Sequence, residues 1–247
     1  MESKNLKYFI AVAQYGSISQ AKHSGARLTV SMTRFSHTAE CFNDICSKYD
    51  DRESLYLRMH ECSTMDVIEN VMNGYAGIGV LHFSATESAM MRRNFEIKKL
   101  SFREIGSFRP YVCLSRDHPL LQQGSAEELD IRELLSYGFV RYIGQYEDFL
   151  YHISTENGVV DLNDSARIVF VNDRAGQMRL ISETNYYTIG IPEFQFQDAL
   201  YDVVSVPLKN CSDHICFGIL TKKEWRPSPI ERDFTDTVCR KYASLNE

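Results

Sequence analysis

"RLTVSMTRFSHTAECFNDICSKY", residues 27–49, changes its hydrophobic rhythm in the middle. "RLTVSM" reads as a short strand, and "SHTAECFNDICSKY" as a helix with Ala39, Phe42, Cys46 and Tyr49 on one face. The next stretch repeats the pair. "SLYLRMHE" (54–61) alternates apolar and polar residues, as a strand exposed on one side does. Ser63 or Thr64 is then placed to cap a helix carrying Val67, Ile68, Val71 and Met72, which stops at Gly74. "AGIGVLHF" (76–83) is almost continuously apolar, the pattern of a strand covered on both faces. Two βαβ-like units in series predict a parallel sheet with right-handed crossovers.

The same alternation returns later. "YGFVRYI" (137–143) reads as a strand, "YEDFLYHIS" (146–154) as a helix and "ARIVFVN" (166–172) as a strand. "RAGQMRLIS" (174–182) reads as a helix and "YYTIGIP" (186–192) as a strand. Two extended stretches, "RPYVCLSRDHPL" (109–120) and "DHICFGILTKK" (213–223), separate the halves, and a helix with Ile230, Phe234, Val238 and Tyr242 closes the chain. That order implies two α/β lobes joined by two strand crossings. Residues 25–113 plus 216–247 form lobe I, and 114–215 form lobe II.

At 247 residues, 44% hydrophobic and 24% charged, the composition is that of a globular protein. The formal net charge of -6 argues against a surface that is nucleic-acid footprint throughout. Lys4, Lys7, Lys22 and Arg27 face only Glu2 within residues 1–27, so that segment is +3 and the remainder -9. Its apolar run "YFIAVA" is shorter than the ~7–15 residues of an export signal. No stretch is long enough for a membrane span, so no membrane partner is expected. The seven cysteines include no Cys-x-x-Cys pair and no zinc spacing, which predicts reduced core thiols, a cytoplasmic setting, and neither metal nor cofactor. "GYAGIGV" precedes its strand, whereas a dinucleotide loop follows one.

Leu6, Phe9, Ile10 and Ala13 form the stripe of an amphipathic helix, Gly16 ends it, and Ser17 to Gln20 form a capping box for a second helix. "LKYFIAVAQYGSISQA" (6–21) resembles the opening of the helix-turn-helix of LysR-type transcriptional regulators, through Leu6, Phe9, Val12, Ala13, Gly16, Ser17 and Ala21. The body is similar to the effector-binding domain of the same family through "MNGYAGIGVL", "VCLSRDHPL" and "TIGIPE". It departs from the family at position 77, a Gly where most members carry Asp. The resemblance implies an α/β, two-lobed, periplasmic-binding-protein-like effector domain, preceded over residues 1–24 by a truncated helix-turn-helix segment. It also implies a small organic effector, anionic or aromatic, a homodimer or tetramer, and no enzymatic activity. DNA is a partner of intact family members. In this chain only "KHSGA" (22–26) lies between the second helix and the first strand, too little for a recognition helix and a wing. A solute-binding protein of the same fold, without DNA binding, is the alternative.

In open α/β sheets ligands bind beyond the carboxyl ends of the strands, beside helix N-termini. Three such edges carry hydroxyls or amides: Thr33, Arg34 and Ser36 after the first strand, Ser63 and Thr64 after the next, and Asn172 in lobe II. Their convergence on one inter-lobe cleft is the expectation, although the serines and Thr64 also suit plain N-caps. Arg34 and Arg141 are candidate partners for an acid, and His82 ends the buried strand. Thr33-Arg34-Phe35 also resembles a tripeptide of prephenate dehydratases, which share the bilobal fold. There it lies late in the catalytic domain, and here it follows the first strand.

Overall fold

Leu28, Val30 and Met32 are at most 1% exposed, and Thr29 and Ser31 between them are buried too. The first strand, β1 (Ala26–Met32), is therefore covered on both faces, as a central parallel strand must be. The computed structural model describes residues 25–122, 127–144, 150–192 and 201–246. The helix-turn reading of residues 1–24 lies outside them.

After β1 come α1 (Ser36–Lys48), β2 (Leu55–Glu61), α2 (Thr64–Met72) and β3 (Ile78–Ser84). β1 runs parallel to β2 in the register Ala26↔Leu55 to Met32↔Glu61, and parallel to β3 with Ser31 opposite Gly79. Gly74, at φ +77, takes the left-handed position that ends α2 at its expected stop. The chain continues through α3 (Ser88–Ile97) and β4 (Leu100–Phe108). Neither was foreseen in the sequence.

β5 (Tyr111–Ser115), α4 (Pro119–Gln122), α5 (Ile131–Leu134) and β6 (Gly138–Tyr142) follow. Next are β7 (His152–Thr155), β8 (Gly158–Asp161), β9 (Arg167–Val171), α6 (Arg174–Ser182) and β10 (Tyr186–Gly190). β11 (Val203–Pro207), β12 (Ile215–Lys222) and α7 (Pro229–Ala243) complete the described chain. One sheet has the order β2-β1-β3-β12-β4 and a second β11-β5-β10-β6-β9. In the second, β10, β6 and β9 are parallel, whereas β5 runs antiparallel to both β10 and β11. That sheet is mixed, not purely parallel.

The contacts divide the chain into two units. The first runs to His82 and adds Met90–Ile105 and Phe217 onward; the second holds Phe83–Ala89 and Gly106–Cys216. β4 leaves the first unit at Ile105, ahead of the 109–120 stretch, and β12 returns to it at Phe217. In the first unit α7 packs on α1, with Phe234 edge-on to Phe42 and the Tyr242 hydroxyl 2.8 Å from that of Thr38. In the second, Met178 and Ile181 of α6 close a core with Cys113, Val140 and Val203.

The helix expected over 146–154 is corrected. His152–Thr155 is a strand, antiparallel to β8 in a hairpin. The Glu156-Asn157 turn decides it: Thr155 Oγ1 accepts from Asn157 N and donates to the carbonyl of Gly158, whose φ of +106 suits only glycine. Residues 146–149 of that reading lie outside the described set.

Candidate ligand-binding site

β1, β2 and β3 end side by side. The amide of Thr33 donates to Val80 O at 3.0 Å, and that of Cys62 to Met32 O at 2.9 Å. This brings Thr33, Arg34, Ser36, Ser63, Thr64 and His82 to one end of the first sheet.

Three of the six are packed into one another. His82 is fully buried, with Nδ1 2.8 Å from Thr33 Oγ1, and the Thr64 hydroxyl donates to the His82 carbonyl at 3.0 Å. Phe35 meets the imidazole edge-on at 4.8 Å, and Phe217 stacks on it at 5.2 Å. Burial pushes the His82 pKa down to about 3, so the ring is neutral at pH 7. His82 therefore knits the strand ends together, and Thr33 and Thr64 hold it.

The other three reach solvent. Arg34, Ser36 and Ser63 are partly exposed. Ser63 is the N-cap of α2, accepting from Asp66 N at 3.2 Å and donating to Asp66 Oδ2 at 2.7 Å. Thr64 and Ser36 are first helical residues, not caps; α1 is capped by Phe35, which has no side-chain acceptor, and no acid stands in its first turn. A helix start without a carboxylate, next to Arg34, favours an anion.

The second unit holds Arg141 and Asn172. Asn172 is exposed just beyond β9, whereas Arg141, opposite Phe170 in the ladder, is 3% exposed. The guanidinium lies between the rings of Phe139 and Tyr151, 4.6 and 4.7 Å from their centroids, and both terminal nitrogens donate to Asn163 Oδ1 at 3.0 Å. Asn163 passes the charge on by donating Nδ2–H to Asp161 at 2.8 Å. Burial lowers the Arg141 pKa, opposed by Tyr151, Tyr187 and Asp161. Among the described residues no carboxylate lies within ion-pair distance of Arg141, and none of its partners was singled out in the sequence.

All seven cysteines are free thiols, and five are buried. Among the described residues no three His, Cys, Asp or Glu side chains are grouped to hold a metal, and no helix is long and apolar enough to cross a membrane.

No protein-family model and no curated sequence matches the chain. Solved structures do. The effector-binding domain of QuiR in complex with shikimate aligns with 90% of this chain and 99% of its own, at TM-score 0.57 and 14% identity. The BenM effector-binding domain with its effector benzoate aligns over 89% and 93%, at TM-score 0.57 and 12% identity. HinK, a LysR family regulator from Pseudomonas aeruginosa, aligns over 91% and 74%, at TM-score 0.57 and 12% identity. At these identities the likeness is one of fold: the two units have the fold of LysR effector-binding domains.

Proposed function

We propose that this chain belongs to the LysR-type regulators and acts as a sensor of a small organic anion. The observation that carries the reading is the fold, which accounts for nearly the whole of the QuiR domain. The acid-free start of α1 beside Arg34 adds a place for a carboxylate. In this reading Arg34, Ser36 and Ser63 contact the ligand. Thr33, Thr64 and His82 hold the strand ends in position. Binding biases a two-state equilibrium, the coupling through which a regulator of this family passes on its signal. Homodimer formation belongs to the same proposal.

Thermal denaturation with a panel of small carboxylates, shikimate and benzoate among them, tests it. A ligand at a hundredfold its Kd adds about 2.7 kcal/mol of stability. Saturable stabilisation that falls in Arg34→Gln is expected. A panel that leaves the unfolding curve unmoved overturns the proposal. The short "KHSGA" connection favours a second, narrower reading, a binding module that does not read DNA. A gel shift at physiological salt separates the two: sequence-selective retardation by this chain refutes the narrower one.

A further inference from the structure

A cavity in the first unit has a volume of about 420 Å³, within the usual range for small-molecule sites. The β1–β2 register places Thr29 opposite Arg58 and Ser31 opposite His60, so Arg58 and His60 project from β2 on the face that carries Ser31. α2 contributes Asn70. Its Nδ2 donates to Ser31 Oγ at 2.9 Å and lies 3.4 Å from His60 Nδ1. With Nδ1 as the acceptor, the neutral ring carries its proton on Nε2. Ser31 Oγ also lies 3.3 Å from Cys62 Sγ.

The polar groups left over are nearly all donors. Among the described residues the Arg58 guanidinium and the Tyr75 hydroxyl have no protein partner, and His60 is exposed. No carboxylate lines this cavity, whereas the larger one of about 510 Å³ sets Glu231 beside Arg27 and Arg52. Ala76 supplies apolar wall, and Tyr75, half exposed, supplies a ring face.

We propose that this cavity binds a small organic anion, its carboxylate or phosphate held by Arg58 and His60 and its apolar body against Tyr75. A guanidinium and an imidazole N–H lining one cavity with no acid in its wall match an oxyanion. The residues lining it include none of Arg34, Ser36 and Ser63.

Calorimetry on the full chain with benzoate and with inorganic phosphate tests the assignment. Arg58→Gln is expected to weaken binding at least tenfold for one or both probes, and Arg34→Gln to leave that component unchanged. Loss for both probes assigns the oxyanion as the determinant, and loss for benzoate alone assigns a carboxylate with an apolar body. An unchanged denaturation midpoint shows that Arg58→Gln still folds. His60→Gln, which keeps a side-chain donor and weakens binding less, serves as the second variant. The proposal is overturned if neither probe binds the wild-type chain, or if Arg58→Gln binds both as the wild type does.

Discussion

Glu231 Oε1 lies 2.7 Å from the point that a Cβ on Gly77 would occupy. Its other oxygen closes the capping box of α7, accepting from the amide and hydroxyl of Ser228 at 2.8 and 2.9 Å. Gly77 has an ordinary negative φ, so the glycine serves to clear space for a carboxylate. The carboxylate that fills this space comes from α7.

Gly77→Asp is therefore expected to destabilise the fold by about 1–3 kcal/mol, from overpacking and from two carboxylates in one place. Glu231→Gln in the same background recovers part of the loss, because it removes the repulsion and leaves the crowding. Urea denaturation midpoints report both. A Gly77→Asp variant as stable as the wild type would show that the carboxylate simply moves aside.

Stability should fall with acid through His82. Its pKa is about 3 in the folded chain against an ordinary 6.5, so below 6.5 the unfolded chain takes up a proton that the folded chain refuses. This contribution is fully present above pH 6.5 and is lost towards pH 3, at up to about 1.4 kcal/mol per pH unit. The slope between pH 6.5 and 4.5 is expected to flatten in His82→Phe. Direct NMR titration gives the same test, since a His82 ring that titrates near pH 6 contradicts the burial argument.

Ser63→Ala removes the cap of α2 and should cost about 0.5–2 kcal/mol, read from the denaturation midpoint. If Ser63 also touches the ligand, affinity falls as well, by more than the loss of stability explains. A midpoint that does not move would mean that another group replaces the cap.

The legible parts of the fold are those with a sustained pattern. α1 and α2 each bury one apolar face, β1 and β3 are strands covered on both faces, and α6 begins and ends where expected. α3 escaped because only Met91 and Phe95 of its ten residues are buried, too thin a stripe to see. β4 is buried only at Leu100 and Phe108, so it shows no alternation. β7 and β8 bury one residue each, Ile153 and Val160, and there the Glu156-Asn157 turn ahead of Gly158 was the better signal. At the strand ends residue types were legible and partners were not. Thr33 finds His82 only through the parallel register of β1 and β3, and Phe217 arrives from the far end of the chain.

Arg141 and Asn163 should behave as one interaction. Each side chain is committed to the other through two hydrogen bonds to a single amide oxygen. A bond to a charged group contributes about 1.5–3 kcal/mol, and a buried partner left unsatisfied costs about 1–3 kcal/mol. Arg141→Met keeps the apolar stem between Phe139 and Tyr151 but orphans Asn163 Oδ1. Asn163→Ala removes the amide oxygen that both terminal nitrogens share and leaves Tyr151 as the remaining side-chain partner. Each is expected to lose about 1–3 kcal/mol, and the double variant little more than either alone, because both remove the same contact. A double-mutant cycle by urea denaturation measures this. Additive losses, with a coupling near zero, would mean that the aromatic sandwich alone holds Arg141 and that Asn163 is incidental to it.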